Sequence, residues 1–458
     1  MNTLLWLQRD LRVHNNPALE WALEQGNPVI AVYIYSPQED APWSEGAASR
    51  WWLHHSLSKL ANSLLELNIK LHLVKANSVD SIEKWVNKYN IDSVVWTNRV
   101  EPNRVICETK IENKLNAKNI TVKRFTNGLI QNPADFLTAS KQTPYRVFTP
   151  FYRKLRSELN FSDFYSHGTQ VKKCAPCLEK INLNSADSLN KLGLLDTHNW
   201  HSKLHQYWTP GEDAAHIRLD DFIDEKILDY IPSRDYPAIE ATSTLSPHLH
   251  FGEISLPQII IALIPLLEYK NRNYAEAAQD FLRQLIWREY AQYIMYHFPH
   301  TALQPMNEKF HDGFWKDDKE NLEKWQHGNT GILLVDAGMK QLWETGSMHN
   351  RVRMLVASLL TKNMGLHWQH GARWFWDTLV DADLANNSMG WQWVAGCGVD
   401  AAPYFRIFNP DTQSKKFDKK NEYSNLWLHD NDLTNRPIVD LGASRKEALE
   451  RYSIYIKQ

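Results

Sequence analysis

With 458 residues, 43% apolar and 23% charged, the chain is too long for one ordinary core and too apolar for general disorder. A net charge of −2 excludes a globally basic nucleic-acid binder, so a nucleic-acid partner would have to meet a local basic surface. No run of about 18 apolar residues occurs, and the start, MNTLLWLQRDLRVHNN, becomes charged too soon for a secretion signal, so no membrane span and a cytoplasmic location are expected.

In chain order, residues 3–7 and 27–35 are apolar runs of the kind that form buried parallel strands. Between them, Pro17 opens a helical pattern through Leu23, with proline in the first turn where its missing N–H does no harm. A helix follows over 51–65, a strand over 70–74, a helix over 79–88, a strand over 93–96, a helix over 103–117 and a strand over 121–125. This alternation predicts a Rossmann-like α/β domain over 1–130. No Gly-x-Gly-x-x-Gly follows the first strand, so that domain carries no dinucleotide fingerprint. Residues 131–200 read as a long linker with short helices, and 201–458 as an all-helical domain, with helices over 273–298, 331–345, 350–362 and 369–380.

Cys174 and Cys177 have redox or half-zinc spacing, but no second such pair follows, so neither a metal site nor a disulfide framework is expected. Tryptophan is the compositional outlier, at 19 residues. Most indoles should be core, but that many also suits a planar ligand or ring-to-ring contacts. The densest chemistry lies in Asp381-Ala382-Asp383-Leu384-Ala385-Asn386-Asn387-Ser388-Met389-Gly390-Trp391-Gln392-Trp393. Two acids, three amides and two indoles in one short stretch need partners if buried. Either an internal polar network or a polar heterocyclic ligand supplies them.

This block resembles the flavin-cradling segment of the DNA photolyase and cryptochrome family. The resemblance extends through Trp6-Leu7-Gln8-Arg9-Asp10-Leu11-Arg12, Thr242-Ser243-Thr244-Leu245-Ser246-Pro247, Leu285-Ile286-Trp287-Arg288-Glu289-Tyr290, Val335-Asp336-Ala337-Gly338-Met339 and Met348-His349-Asn350-Arg351-Val352-Arg353-Met354. It covers nearly the whole chain and implies an α/β Rossmann-like antenna domain, a long linker and an all-helical FAD-binding domain. It further implies that FAD is contacted by Tyr230, Thr242, Ser243, Leu245, Ser246, Phe281, Asn350, Arg353, Asp381, Asp383 and Asn387. From the residues alone, Ser246 before Pro247 also reads as a helix N-cap. Arg353 would pair with Asp381, and Asn387 would face the flavin N5. A neutral amide there resembles photolyases, where cryptochromes carry Asp or Cys.

By the same resemblance, Trp391, Trp368 and Trp315 form a photoreduction chain, a use for which indole suits because it is readily oxidised. Trp287 and Trp393 would flank a flipped pyrimidine dimer in UV-damaged DNA, with Gln284, Arg288, Arg351, Met354 and Arg406 also facing the substrate and Lys415 and Lys416 near phosphates. The chain would act as a monomer, at the nucleoid when bound to DNA. Glu101 resembles a folate-contacting residue, so the implied antenna pigment is methenyltetrahydrofolate rather than a deazaflavin. Three positions depart from the pattern. Gln284 stands where cyclobutane-dimer photolyases carry Glu, Ser347 where many carry Trp, and Leu333 where Pro is commoner. The implied activity is light-driven repair of cyclobutane pyrimidine dimers. Blue-light signalling of the cryptochrome type and repair of (6-4) photoproducts are the alternatives.

Overall fold

A computed structural model describes residues 2–126, 128–165, 189–195, 200–310, 312–401 and 406–456. The chain divides into two compact units that interleave along the sequence. The first comprises Met1–Phe136, Lys154–Glu225 and Ser243–Glu289; the second comprises Leu137–Arg153, Lys226–Thr242 and Tyr290–Gln458. Cys174 and Cys177 lie outside the described residues.

The first unit is built on a parallel sheet of β1 (Asn2–Leu7), β2 (Val29–Tyr35), β3 (Leu71–Lys75), β4 (Ile91–Thr97) and β5 (Thr121–Phe125), in the order β3-β2-β1-β4-β5. Every residue of β2 is buried, as a strand covered on both faces requires. The connecting helices are α1 (Pro17–Glu24), α2 (Ala47–Glu66), α3 (Ser78–Tyr89) and α4 (Pro102–Asn116). Asn16 caps α1 by accepting from the Leu19 N–H at 3.1 Å. Leu4, Trp6, Val32, Val94, Trp96 and Ile111 form the core of one sheet face. Gly252 closes the Ser246–Phe251 helix with φ +68°, and a Cβ there would lie 1.9 Å from the Arg9 carbonyl oxygen. The position therefore needs glycine for its conformation and for the close approach.

Three local expectations need correction. Ser246 is the first helical residue and Leu245 the N-cap, with no side-chain capping bond, because the chain enters this helix already in αR geometry. The 350–362 segment is not one regular helix: Asn350–Ser358 is α-helical and Leu359–Asn363 is a π turn. The 331–345 helix starts at Leu333, since Thr330 and Gly331 form a turn around Asp336. The Asp336 carboxylate accepts from the Thr330 N–H (2.8 Å) and hydroxyl (2.6 Å) and from the Gly331 N–H (2.8 Å). Gly331 has φ +73°, and a Cβ would lie 2.4 Å from the Arg436 carbonyl carbon, so this turn seats the chain's later segment.

Among the described residues, the named elements of the second unit are all helical, and an isolated bridge pairs Lys316 with Leu366. Three of its helices have side-chain caps that bear on function. His349 caps Asn350–Ser358, His367 caps Trp368–Thr378, and Asp383 caps Leu384–Ala395.

Candidate functional site

In the second unit, the acidic and amide residues of the 381–393 block meet the Asn350–Ser358 and Trp368–Thr378 helices. The Arg353 guanidinium donates to both Asp381 oxygens at 3.1 and 3.0 Å and to the Met348 carbonyl at 2.7 Å. The pair is only partly shielded, with Arg353 26% and Asp381 8% exposed. Asp383 is buried and committed to the fold. It caps the Asn386 N–H at 2.9 Å and accepts from the Gln292 amide at 3.0 Å on each oxygen. Asn387 donates its side-chain N–H to the Ala372 carbonyl at 2.9 Å. That bond fixes the amide orientation, and among the described residues nothing donates to its Oδ1. Asn387 thus presents a held, open acceptor. Asn350 is exposed at the start of its helix. Tyr230 is buried beneath the Arg234 guanidinium, 5.3 Å from the ring centroid. Thr242 is half-buried.

His349 is held almost entirely uncharged. Burial pushes its pKa down to about 4, and its Nδ1 accepts from the Arg351 N–H at 3.2 Å. Arg351 pairs with Asp235 at 2.6 Å and lies 4.5 Å above the Phe417 ring. Arg406 is exposed, with its guanidinium 5.9 Å from the Trp393 ring centroid; Trp393 in turn packs against Phe408. An indole face and an exposed cation are thereby brought together. Met354 and Ser347 are half-buried; Leu333, Lys415 and Lys416 are exposed.

The three tryptophans predicted as an electron chain grade from inside to outside. Trp368 is 0% and Trp391 3% exposed, while Trp315 is half-buried. Trp391 packs on Phe375 (5.0 Å) and against Gly371, where a Cβ would lie 2.0 Å from its ring. Trp368, Gly371 and Phe375 recur at three- and four-residue spacing, so they share one helix face. Glycine at 371 lets the Trp391 indole lie within one turn of Trp368.

In the first unit, Ser243 is half-buried and its hydroxyl accepts from the Leu245 N–H at 3.4 Å. Leu245 is buried and Ser246 exposed. Thr244 has φ +52° and accepts from Arg218 at 2.7 Å. Phe281 packs on Phe222, with ring centroids 4.5 Å apart and planes tilted by 51°. Gln284 and Trp287 are half-buried one helical turn apart, and among the described residues the Gln284 amide has no hydrogen-bond partner. Arg288 donates to the Leu249 carbonyl at 2.8 Å. Glu289 is buried; it accepts from the Gln131 N–H at 3.1 Å, and burial pushes its pKa up to about 7.

The carboxyl ends of β1, β2 and β4 carry a second concentration of charge. Strand order reverses between β1 and β4, where open α/β sheets bind ligands. Here the space holds Arg9 with Glu45 at 3.5 Å, Asp10 with the Thr97 hydroxyl at 2.6 Å, and Arg104 with Asp40. Glu101 is clamped by Arg99 at 2.5 and 2.8 Å, so its carboxylate is already engaged.

Several functional candidates escaped sequence reasoning. Trp325 lies 6.1 Å from Trp391, and the exposed Trp343 stacks on Trp374 at 5.9 Å. Lys362, in the π turn, is buried; burial lowers its pKa to about 7, and its ammonium holds the Arg406 carbonyl at 2.9 Å. Only the irregular turn could have hinted at it, and its periodicity reads as ordinary helix.

Comparison with known proteins agrees with this architecture. Residues 3–173 match the DNA photolyase family and residues 281–435 the FAD binding domain of DNA photolyase. A deoxyribodipyrimidine photo-lyase of Agrobacterium fabrum is 37% identical over 98% of this chain and 97% of its own. Cryptochrome-2 of Arabidopsis thaliana is 34% identical over 93% of this chain and 70% of its own. The crystal structure of a bacterial class III photolyase from Agrobacterium tumefaciens superposes with a TM-score of 0.89 at 36% identity, covering 100% of this chain and 98% of that one. The chain belongs to the DNA photolyase and cryptochrome family, with an N-terminal α/β domain and a C-terminal helical FAD-binding domain.

Proposed function

We propose that this protein repairs cyclobutane pyrimidine dimers in UV-damaged DNA, driven by light absorbed at FAD. The observation that carries this reading is Asn387: its N–H is anchored to Ala372 and its oxygen is left open. An uncharged acceptor of fixed orientation can take a hydrogen bond from a reduced flavin N5–H without demanding a proton of its own. The donor set fits the cofactor, since Arg353 and Asp381 offer a partly shielded charge pair for the ring edge. FAD, when bound, supplies light absorption and one-electron chemistry. Around it, Trp391, Trp368 and Trp315 carry an electron inward from solvent. Trp393 supplies an indole wall for an extruded dimer, Trp287 is a further indole candidate for the same contact by family resemblance, and Arg406 supplies a cation for the DNA backbone. Gln284, with an uncommitted amide, donates and accepts toward the bases. A methenyltetrahydrofolate antenna would have to compete with Arg99 for Glu101, and denaturing the purified protein should release the pigment if that competition is won.

The test is a lesion assay on the FAD-loaded protein with a thymine-dimer oligonucleotide and a reductant. Thymine should be restored in blue light and not in the dark. Binding without light-dependent restoration would overturn repair in favour of the cryptochrome reading. Gln284→Glu should raise the repair yield, because it adds the charge that Gln lacks while keeping the acceptors.

A further inference from the structure

The outer step of the electron path has an unusual composition. Among the described residues, Trp368 makes ring contact with one partner, His367, at 5.8 Å between centroids and 28° between planes. The same imidazole makes an edge contact with Trp315, at 5.1 Å and 66°. Trp315 and Trp368 are not themselves in ring contact. The inner and outer indoles are therefore joined through one imidazole.

That imidazole is held in a defined state. His367 is the N-cap of the Trp368–Thr378 helix, and its Nδ1 accepts from the Gln369 N–H at 3.2 Å. An accepting Nδ1 carries no proton, so in this geometry the ring is neutral with its proton on Nε2. His367 also lines a cleft of about 350 Å³ with Trp315, Lys316, Asp317, Gln369, His370 and Arg373. The cleft brings solvent to the outer end of the path. Among the described residues, the charged groups lining the cleft are Lys316, which pairs with Glu447, together with Asp317 and Arg373; His370, on the same helix as Arg373, is kept toward its neutral form by burial and by that arginine.

We infer that His367 is a bridging residue for electron transfer from Trp315 to Trp368, effective only while its imidazole is neutral. The inference rests on the electron-path role given above to the three tryptophans. In the step, oxidised Trp368 regains one electron and Trp315 loses one, and no bond is made or broken. Trp315 is then restored by a soluble one-electron donor of the thiol or enediol class reaching the cleft. An imidazolium would lose its capping bond and set a positive charge beside both rings that must carry one in turn. Acidification therefore slows the step.

The test separates the ring from the cap. Asn is among the best N-cap residues, so His367→Asn keeps the helix start and removes the bridge. His367→Phe keeps a ring and removes the cap. Flash photolysis of the FAD-loaded protein, without donor, follows the lifetime of the tryptophan radical. Trp315→Phe serves as the reference in which the hole stops at Trp368. His367→Asn should shorten the lifetime toward that reference, by about tenfold, with an unchanged melting temperature. His367→Phe should retain the long lifetime and lose its pH dependence, while melting lower. A wild-type lifetime in His367→Asn, with Trp315→Phe shortened, overturns the bridging role alone. An unchanged lifetime in Trp315→Phe overturns the electron path and this inference with it.

Discussion

The carboxyl edge of the sheet in the first unit and the helical cluster of the second both concentrate ionisable and amide groups, and they dispose of them oppositely. At the sheet edge each charge has found a partner within the chain: Arg9 with Glu45, Arg99 with Glu101, Arg104 with Asp40. In the helical cluster the anchoring bonds are complete but the working atoms stay open. Asn387 is tethered by its N–H and offers its oxygen, and Arg353 holds Asp381 in a pair that remains partly accessible. A buried charge cluster that satisfies itself is architecture. A cluster that fixes its side chains and leaves acceptors unspent is prepared for something outside the chain.

The largest effect is expected at the sheet edge. Arg104→Met leaves the largely shielded Asp40 carboxylate without its cation, which should cost about 3 kcal/mol of stability, while flavin content per folded molecule is unchanged. Denaturant melts and the flavin absorbance of the folded fraction measure the two separately. Loss of flavin at equal folding would mean that the edge is not purely architectural.

Gly371→Ala attacks the other end. A methyl group 2.0 Å from the Trp391 ring must displace that indole, for roughly 3 kcal/mol of destabilisation. Photoreduction should fail together with stability, and a variant that photoreduces normally would remove Trp391 from the path.

Glu289 sharpens the contrast, because it is a buried carboxyl served by backbone amides rather than by a paired cation. Burial raises its folded pKa to about 7, above the ordinary carboxylate range, so the fold favours its protonated form. Its contribution to stability is fully present below about pH 4.5 and is lost as pH rises through about 7, for about 3 kcal/mol at most. Melting temperature should therefore fall less steeply from pH 5 to 7.5 in Glu289→Gln than in the parent chain.

The smallest effect is at the surface. Arg406→Gln should weaken DNA binding by about 1 kcal/mol across sequences and lower the salt slope by about 1, read from binding isotherms at several salt concentrations. An unchanged slope would leave Arg406 as a support for Trp393 only.

The α/β half was legible because its signals are local. Unbroken apolar runs can only be strands covered on both sides, and β1, β2 and β4 lie within a residue or two of those runs. The helical half was legible in its existence and less so in its detail. Periodicity over 350–362 cannot reveal that hydrogen bonding slips to a π turn at Leu359, where Lys362 is buried. Nor can it reveal that Thr330 and Gly331 are pulled out of the helix by the Asp336 carboxylate. At the site, the residue types of the 381–393 block announced a polar network and a ligand alike; in the structure Asp383 accepts from Asn386 and Gln292, while among the described residues nothing donates to the Asn387 Oδ1.

The sequence by itself determined the strands, the helical character of the second half, and the family to which 381–393 and its companion motifs belong. The strands and helices follow from residue type and spacing along the chain, and the family from the resemblance its motifs carry. Only the tertiary structure decided which polar groups are already consumed, that Glu101 is held by Arg99, that Gly371 admits Trp391, and that an imidazole stands between Trp315 and Trp368. Those facts depend on which atoms come within about 3–6 Å of one another, and neither propensity nor periodicity encodes that distance.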